Sequence, residues 1–310
     1  MWEKKGLIYN VNSDFEWNQS HAQLPIVDVS DNNKWRIYYA TRNKEGQSNV
    51  SYIEVEPGNP SNILYVHNSP ILQLGKLGTF DESGIMPVAI VDYKNKKYLY
   101  YAGWNLRKKV PYHNTIGLAI SSDNGETFEK YGEGPVFDTT PFEPYSNGTI
   151  NIRIGNGKWK AWYQSITKWE TIEGKTEPFY HIKYAESEDG ITWNRKGQIA
   201  IDFKDNQEAG ICGASVLVED NVYKMWYSYR KNGDYRKNVN DSYRIGYAES
   251  NDGINWTRKD ELAGIDVSAK GWDSEMIAYP NVCFFEGKKF MFYNGNGFGA
   301  TGIGYAVCNK

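Results

Sequence analysis

Trp226-Tyr227, followed by Ile245-Gly246-Tyr247-Ala248-Glu249-Ser250-Asn251-Asp252-Gly253-Ile254-Asn255-Trp256, is the stretch that decides the fold. It reads as an aromatic-pair strand, then an Ile-Gly-Tyr-Ala strand, then a Ser-x-Asp-Gly turn that delivers a tryptophan to an edge strand. Asp and Gly in that turn satisfy its backbone and permit positive φ. The same sequence of signals recurs along the chain. The aromatic pairs are Tyr38-Tyr39, Tyr100-Tyr101, Trp162-Tyr163, Trp226-Tyr227 and Phe292-Tyr293, with second members about 62, 62, 64 and 66 residues apart.

Each pair is preceded by a short apolar run: Leu24 to Val29, Met86 to Val91, Thr149 to Ile154, Ala214 to Val218, and Tyr279 to Phe285. Each is followed by a copy of the third strand, at Val50 to Ile53, Ile116 to Ala119, Ile182 to Ala185, Ile245 to Ala248, and Ile303 to Ala306. Further copies of the turn are Ser121-x-Asp123-x-Gly125 and Ser187-x-Asp189-Gly190. Four short strands per period, joined by turn residues and with no competing helical period, describe a propeller blade. The expectation is therefore an all-β fold: a five-bladed β-propeller of four-stranded antiparallel blades, one domain over residues 1–310. The last period stops after its third strand, so the segment around Trp2 to Tyr9 is expected to supply the missing outer strand.

Composition narrows the function. The chain of 310 residues carries 24 Tyr and 11 Trp, and aromatics make up 15% of it. Such residues suit strands and also stack on sugar rings. A net charge of −3 and the lack of a long basic run argue against nucleic acid as partner. Cys212, Cys283 and Cys308 have no metal-ligand spacing and read as reduced packing thiols. Neither a metal nor another cofactor is demanded. No apolar stretch reaches membrane-spanning length, and Met1 to Asn10 lacks a signal-peptide core, so the expected location is the cytoplasm.

In a propeller, the starts of the first strands and the connections between second and third strands share one face. Here those connections are long, Trp104 to Thr115, Thr167 to His181 and Arg230 to Tyr243, which marks that face as the functional one. Acidic residues lead into the first strands: Asp81 and Glu82, Glu143, Glu208, then Asp273 and Glu275. The first period offers His21 and Gln23 instead. Second strands end at Arg42, Asn105, Gln164, Arg230 and Asn294. A ring of carboxylates with His, Arg and aromatic groups suits glycosidic chemistry, in which one carboxyl protonates the leaving oxygen and another activates water or attacks. Asp81, Glu82, Glu143 and Glu275 are the candidate catalytic groups. His21, Gln23, Arg42, Asn105, His113, Gln164, Glu208, Arg230, Tyr279 and Asn294 are the candidate substrate-binding groups. The expected partner is a saccharide or glycoconjugate.

These patterns together resemble the five-bladed glycosidase superfamily, which includes families 32, 43, 68 and 130 of glycoside hydrolases and phosphorylases. The resemblance covers nearly the whole chain at the level of architecture. It implies a carboxylate-dependent glycosidase. One departure matters: families 32 and 43 place an Asp directly before the Pro of the first channel strand, and here that residue is Leu24, before Pro25. The alternative is therefore a non-hydrolytic protein on the same fold, which binds a glycan or works in polysaccharide biosynthesis as a transferase or phosphorylase. A purely protein-binding propeller is disfavoured by the polar, acid-rich rim.

Overall fold

A computed structural model describes residues 1–172 and 174–309. Among them the regular structure is almost all strand, the exceptions being a 3₁₀ turn at Asp260–Leu262 and one helical turn at Asn296–Gly299. The strands fall into five successive groups, here called units one to five. Unit one runs through Ser20–Asp28, Trp35–Arg42, Ser48–Glu56 and Asn59–Val66, each antiparallel to the last. Unit two comprises Gly84–Tyr93, Lys96–Leu106, Tyr112–Ser121 and Glu129–Lys130. Unit three comprises Asn147–Gly155, Lys158–Ile172 and Lys175–Ser187, with Trp193–Asn194 and Ile199–Ile201 on its outer edge. Unit four comprises Glu208–Glu219, Val222–Lys231, Arg244–Ser250 and Thr257–Arg258.

Unit five comprises Ala278–Phe285, Lys288–Asn294 and Ile303–Asn309. Glu3–Tyr9 pairs antiparallel with Ile303–Asn309, so the N-terminal segment supplies the outer strand of the last unit, as its position in the sequence suggested. The two ends of the chain are thereby fastened in one sheet. The first strands of the units pack in a cycle: unit one on two, two on three, three on four, four on five, and five on one.

The aromatic pair works on both sides of its strand, because successive side chains point to opposite faces. The first member reaches the turn of the following unit. Tyr38 donates to the Gly125 carbonyl at 3.1 Å, Tyr100 to Gly190 at 2.7 Å, and the Trp162 indole to Gly253 at 2.8 Å. The Ser-x-Asp-Gly turns are thus the sockets that receive a neighbour. Their own geometry is fixed internally: Ser187 and Ser250 accept from Gly190 and Gly253 at 2.9 Å each, while Asp189 and Asp252 accept from backbone N–H groups beyond. In the unit-two turn, hydrogen bonds from the Ser121 and Thr127 hydroxyls and the Glu126 and Thr127 N–H groups outweigh burial and hold the Asp123 carboxyl down at about 2. In unit four the first member, Trp226, packs edge-on against Trp2 at 5.7 Å, and in unit five Phe292 packs against Trp35 at 6.3 Å.

In four units the second member points into its own unit, where it meets a carboxylate. Tyr101 donates to Asp81 at 3.2 Å, Tyr163 to Glu143 at 2.7 Å, and Tyr293 to Asp273 at 3.0 Å, always across twenty residues. In unit four Tyr227 donates to Asp260 at 2.5 Å, and in unit one Tyr39 meets the Tyr9 hydroxyl at 3.1 Å. All five tyrosines are fully buried. Burial, and then the carboxylate beside each, push the Tyr101, Tyr163 and Tyr293 phenols well above their ordinary value, so they remain donors.

If Tyr100 joins units two and three through its hydroxyl, Tyr100→Phe removes one of the two donors to the Gly190 carbonyl, the Trp193 indole at 3.2 Å remaining. The expected loss is about 1 kcal/mol, read from urea unfolding. An unchanged midpoint would separate the hydroxyl from the unit junction.

Candidate functional site

A cavity of about 430 Å³ opens where the first strands converge, at the face that carries the long connections. Its wall takes Gln23 and Leu24 from the first strand of unit one and Met86 and Val88 from that of unit two. Units three, four and five contribute Gly148 and Thr149, Cys212, and Tyr279. Arg42, Ala102, Trp104 and Gln164 reach it from second strands. The connections add Tyr112, Tyr180, Tyr235, Arg236 and Tyr243, and the helical turn adds Phe298.

Two of the first strands enter the cavity in strained backbone. Leu24 and Tyr279 have φ of 57° and 55°, in the left-handed region that disfavours a side chain. Side chains hold both bulges: Leu24 N–H donates to Asn294 Oδ1 at 2.7 Å, and Tyr279 N–H to Ser228 Oγ at 2.7 Å. In unit three the Thr149 N–H donates to Gln164 Oε1 at 3.2 Å. Gln164, Ser228 and Asn294 are the residues that follow the repeat tyrosine, so this variable position sets how the inner strands present themselves to the cavity.

One wall is a buried aromatic and cationic block. Arg230, 1% exposed, donates to the Tyr180 hydroxyl at 3.0 Å and to the Pro178 carbonyl at 2.6 Å, and its guanidinium lies 3.9 Å over the Tyr235 ring. Tyr180 in turn meets the Tyr243 hydroxyl. Tyr235 donates to Glu177 at 2.9 Å, and Arg236 pairs with the same carboxylate. Burial pushes the Tyr243 and Tyr279 phenols well above their ordinary range and the Cys212 thiol up to about 12. These groups are neutral donors at neutral pH. On the opposite wall, half-buried Arg42 donates to Gln23 at 3.2 Å, and no described carboxylate forms an ion pair with it.

The sequence candidates divide between cavity and surroundings. Gln23, Arg42, Gln164 and Tyr279 line the cavity together. Arg230 lies behind its wall, and Asn294 is buried, donating to the Ala22 and Gly302 carbonyls while it holds Leu24. His21 is half-buried beside Ser20 at 2.8 Å. His113 contacts Ser146 at 3.1 Å, opposite Asn105 in the strand register. Neither histidine nor Asn105 lines the cavity.

The candidate carboxylates lie outside the cavity wall as well. Asp81, 1% exposed, pairs with Lys130 at 2.6 Å while it accepts from Tyr101. Glu143, 3% exposed, pairs with Lys183 at 2.9 Å and Arg195 at 3.3 Å. Glu208 accepts from Arg258 at 2.7 and 2.8 Å, and Arg258 links it to Asp260. Asp273 pairs with Lys4 at 2.7 Å. Glu82 accepts from the Gly78 N–H at 2.6 Å, and Glu275 is exposed on the rim. Glu177 and Tyr243 escaped the sequence reading as site residues, because no period or motif marks them and only the length of the two connections pointed to their neighbourhood; Cys212, read there as a packing thiol, lines the cavity from the first strand of unit four. Among the described residues no group of three or more His, Cys, Asp or Glu side chains is placed to hold a metal.

The fold is that of the β-propeller glycosidases. A thermostable family-43 glycoside hydrolase superposes with a TM-score of 0.66 at 20% identity, over 93% of this chain and 88% of its own. A structure from the GH130 family of mannoside phosphorylases superposes with a TM-score of 0.72 at 17% identity. That family is described as containing glycoside hydrolases that target beta-1,2 mannosidic linkages in Candida mannan, and the match covers 100% of this chain and 94% of the other. No protein-family model matches the sequence. A curated relative, the uncharacterized protein Rv1502 of Mycobacterium tuberculosis (strain ATCC 25618 / H37Rv), is 35% identical over 306 residues. Those residues are 99% of this chain and 98% of the relative, and the chain belongs to the family of that mycobacterial protein.

Two outcomes follow from this geometry. Glu143→Gln strands Lys183 and Arg195 without their carboxylate and is expected to cost about 3 kcal/mol in urea unfolding; a loss within error would show the ion pairs to be dispensable. His21 is held down from 6.5 to about 4, by burial first and then by Arg42. As pH falls through 6.5 the unfolded chain takes up this proton and the folded chain does not, so stability is complete above 6.5 and declines toward 4. His21→Gln is expected to flatten that part of the stability–pH curve, measured by denaturant titration; an unaltered slope would contradict the assignment.

Proposed function

We propose that the five units are blades of one closed five-bladed propeller spanning residues 1–310, and that its central cavity binds a saccharide carrying an anionic group. The cyclic packing of the first strands and the outer strand supplied by Glu3–Tyr9 support the closed single domain. The observation that carries the ligand reading is the make-up of the cavity wall: tyrosine, tryptophan and phenylalanine rings, the Gln23, Asn114 and Gln164 amides, hydroxyls, and Arg42 and Arg236, with no carboxylate among its described residues. Aromatic faces stack on sugar rings, amides and hydroxyls exchange hydrogen bonds with sugar hydroxyls, and an arginine without an acidic partner suits a phosphate or carboxylate. The structural neighbours, described as glycoside hydrolases and mannoside phosphorylases, support a carbohydrate-active protein.

Of the two mechanisms the sequence raised, the geometry favours the non-hydrolytic one. Hydrolysis by paired carboxylates needs two of them flanking the bond, roughly 5–10 Å apart. Asp81, Glu143 and Glu208 are instead each neutralised by a buried or half-buried cation inside a blade. The protein therefore reads as a saccharide-binding or group-transferring member of the fold, in which Arg42 holds the anionic group and Tyr180, Tyr279 and Gln164 hold the sugar. Free Cys212 and Cys283 fit a reducing compartment, and we read the location as cytoplasmic. Among the described residues no helix is long and apolar enough to cross a membrane.

Thermal-shift titration with neutral monosaccharides, sugar phosphates and nucleotide sugars tests the reading. A ligand at a hundred times its Kd adds about 2.7 kcal/mol of stability. Sugar phosphates or nucleotide sugars are expected to stabilise more than the neutral parent sugars, and Arg42→Ala to abolish the difference. Glycoside hydrolysis that disappears in Asp81→Asn while the fold keeps its stability would overturn it.

A further inference from the structure

The end of units two and three that faces the same way as the cavity carries side chains that neither the fold nor the cavity uses. Apart from Met1, the three most exposed large apolar residues among those described are Leu77 at 99%, Phe142 at 90% and Leu106 at 70%. All three lie at the cavity end of units two and three. Leu77 and Phe142 sit in the connections that lead into the first strands, and Leu106 ends the second strand of unit two.

Phe142 is exposed for a specific reason. The residue before the blade acid is Phe80 in unit two and Trp272 in unit five, and each stacks on its repeat tyrosine, at 5.9 Å on Tyr101 and 5.2 Å on Tyr293. In unit three Phe137 packs on Tyr163 instead, at 4.5 Å, and Phe142 is left pointing outward.

Directly after Leu106 comes a short cationic tip at the same end of unit two. Arg107, Lys108 and Lys109 follow Leu106 at the tip of the hairpin, all exposed, and none forms an ion pair among the described residues. The hairpin is anchored to the cavity: Leu106 pairs with Tyr112 in the strand register, and Trp104, Pro111, Tyr112 and Asn114 line the wall.

We propose that this face docks on an anionic lipid surface. Three adjacent, unpaired cations are complementary to acidic headgroups, and the apolar tips of Leu106, Phe142 and Leu77 are placed to enter the headgroup boundary. The mixture favours a membrane over a soluble polyanion, which would engage the cations and leave the apolar tips in water. Docked this way, the cavity mouth opens onto the headgroups. The proposal does not depend on what the cavity binds.

Co-sedimentation of the full chain with vesicles tests it, using phosphatidylcholine alone and phosphatidylcholine containing one-third phosphatidylglycerol. The protein is expected to sediment with the anionic vesicles and to be released by salt. Replacing Arg107, Lys108 and Lys109 by Gln is expected to weaken binding by about fivefold per charge, on the order of a hundredfold together. Phe142→Ser with Leu106→Ser is expected to weaken what binding remains at higher salt. All these positions are exposed, so unchanged thermal melting confirms that each variant is folded. Absence of anionic-vesicle binding, or binding indifferent to both sets of substitutions, overturns the proposal. Capture by soluble heparin without capture by vesicles would assign the face to a soluble polyanion and overturn it as well.

Discussion

A buried phenol, a carboxylate and a cation meet in four of the five units, and the rest of the structure depends on that contact. The tyrosine comes from the second strand, the acid from the connection at one end of the unit, and the cation from its outer half: Lys130, Lys183 with Arg195, Arg258, and Lys4. One interaction therefore ties the inner, middle and outer strands of a unit together. The Lys4 member brings the N-terminal strand to Asp273 and Tyr293 of the last unit. Unit one lacks the acid and meets the same need with Tyr9, again from the N-terminal strand. A buried ion pair offers little net stability over an apolar replacement, but removal of one partner is costly. Once established in a repeat, such a contact is hard to lose.

This contact also separates the acids from the cavity. A carboxylate drawn between a tyrosine hydroxyl and a lysine inside a blade is held away from a ligand at the centre. What remains at the centre is set by positions where the repeat varies. Gln164, Ser228 and Asn294 hold inner-strand N–H groups, and the left-handed bulges at Leu24 and Tyr279 turn those residues toward the ligand space. Strained backbone of this kind persists only where its surroundings fix it, and it concentrates at binding sites.

Much of the fold was legible in the sequence because its signals are local and repeated. The aromatic pair, the Ile-Gly-Tyr-Ala strand and the Ser-x-Asp-Gly turn each report a few neighbouring residues, and recurrence supplies the long-range order. Gln23, Arg42, Gln164 and Tyr279 reach the cavity wall as the same register logic expects, since strand ends at matching positions converge. The fate of the acids was not legible. Asp81 and Glu143 occupy the place at which a rim acid would face the cavity, and only the distant Lys130 and Lys183 reveal that they turn into the blade. The same limit hid Glu177, whose partners Tyr235 and Arg236 lie on another unit's connection, and Phe142, whose exposure follows from Phe137 having taken its place.

Four of the five units are held by internal charge pairs, and the cavity where the first strands converge is lined by neutral and cationic groups. A crystal structure with a sugar phosphate bound tests this most directly. The account predicts the ligand's anionic group within hydrogen-bond distance of Arg42, its ring against Tyr180 or Tyr279, and the Asp81–Lys130 and Glu143–Lys183 pairs intact. A sugar whose anomeric carbon lies between two carboxylates, with Asp81 or Glu143 released from its lysine, would contradict it.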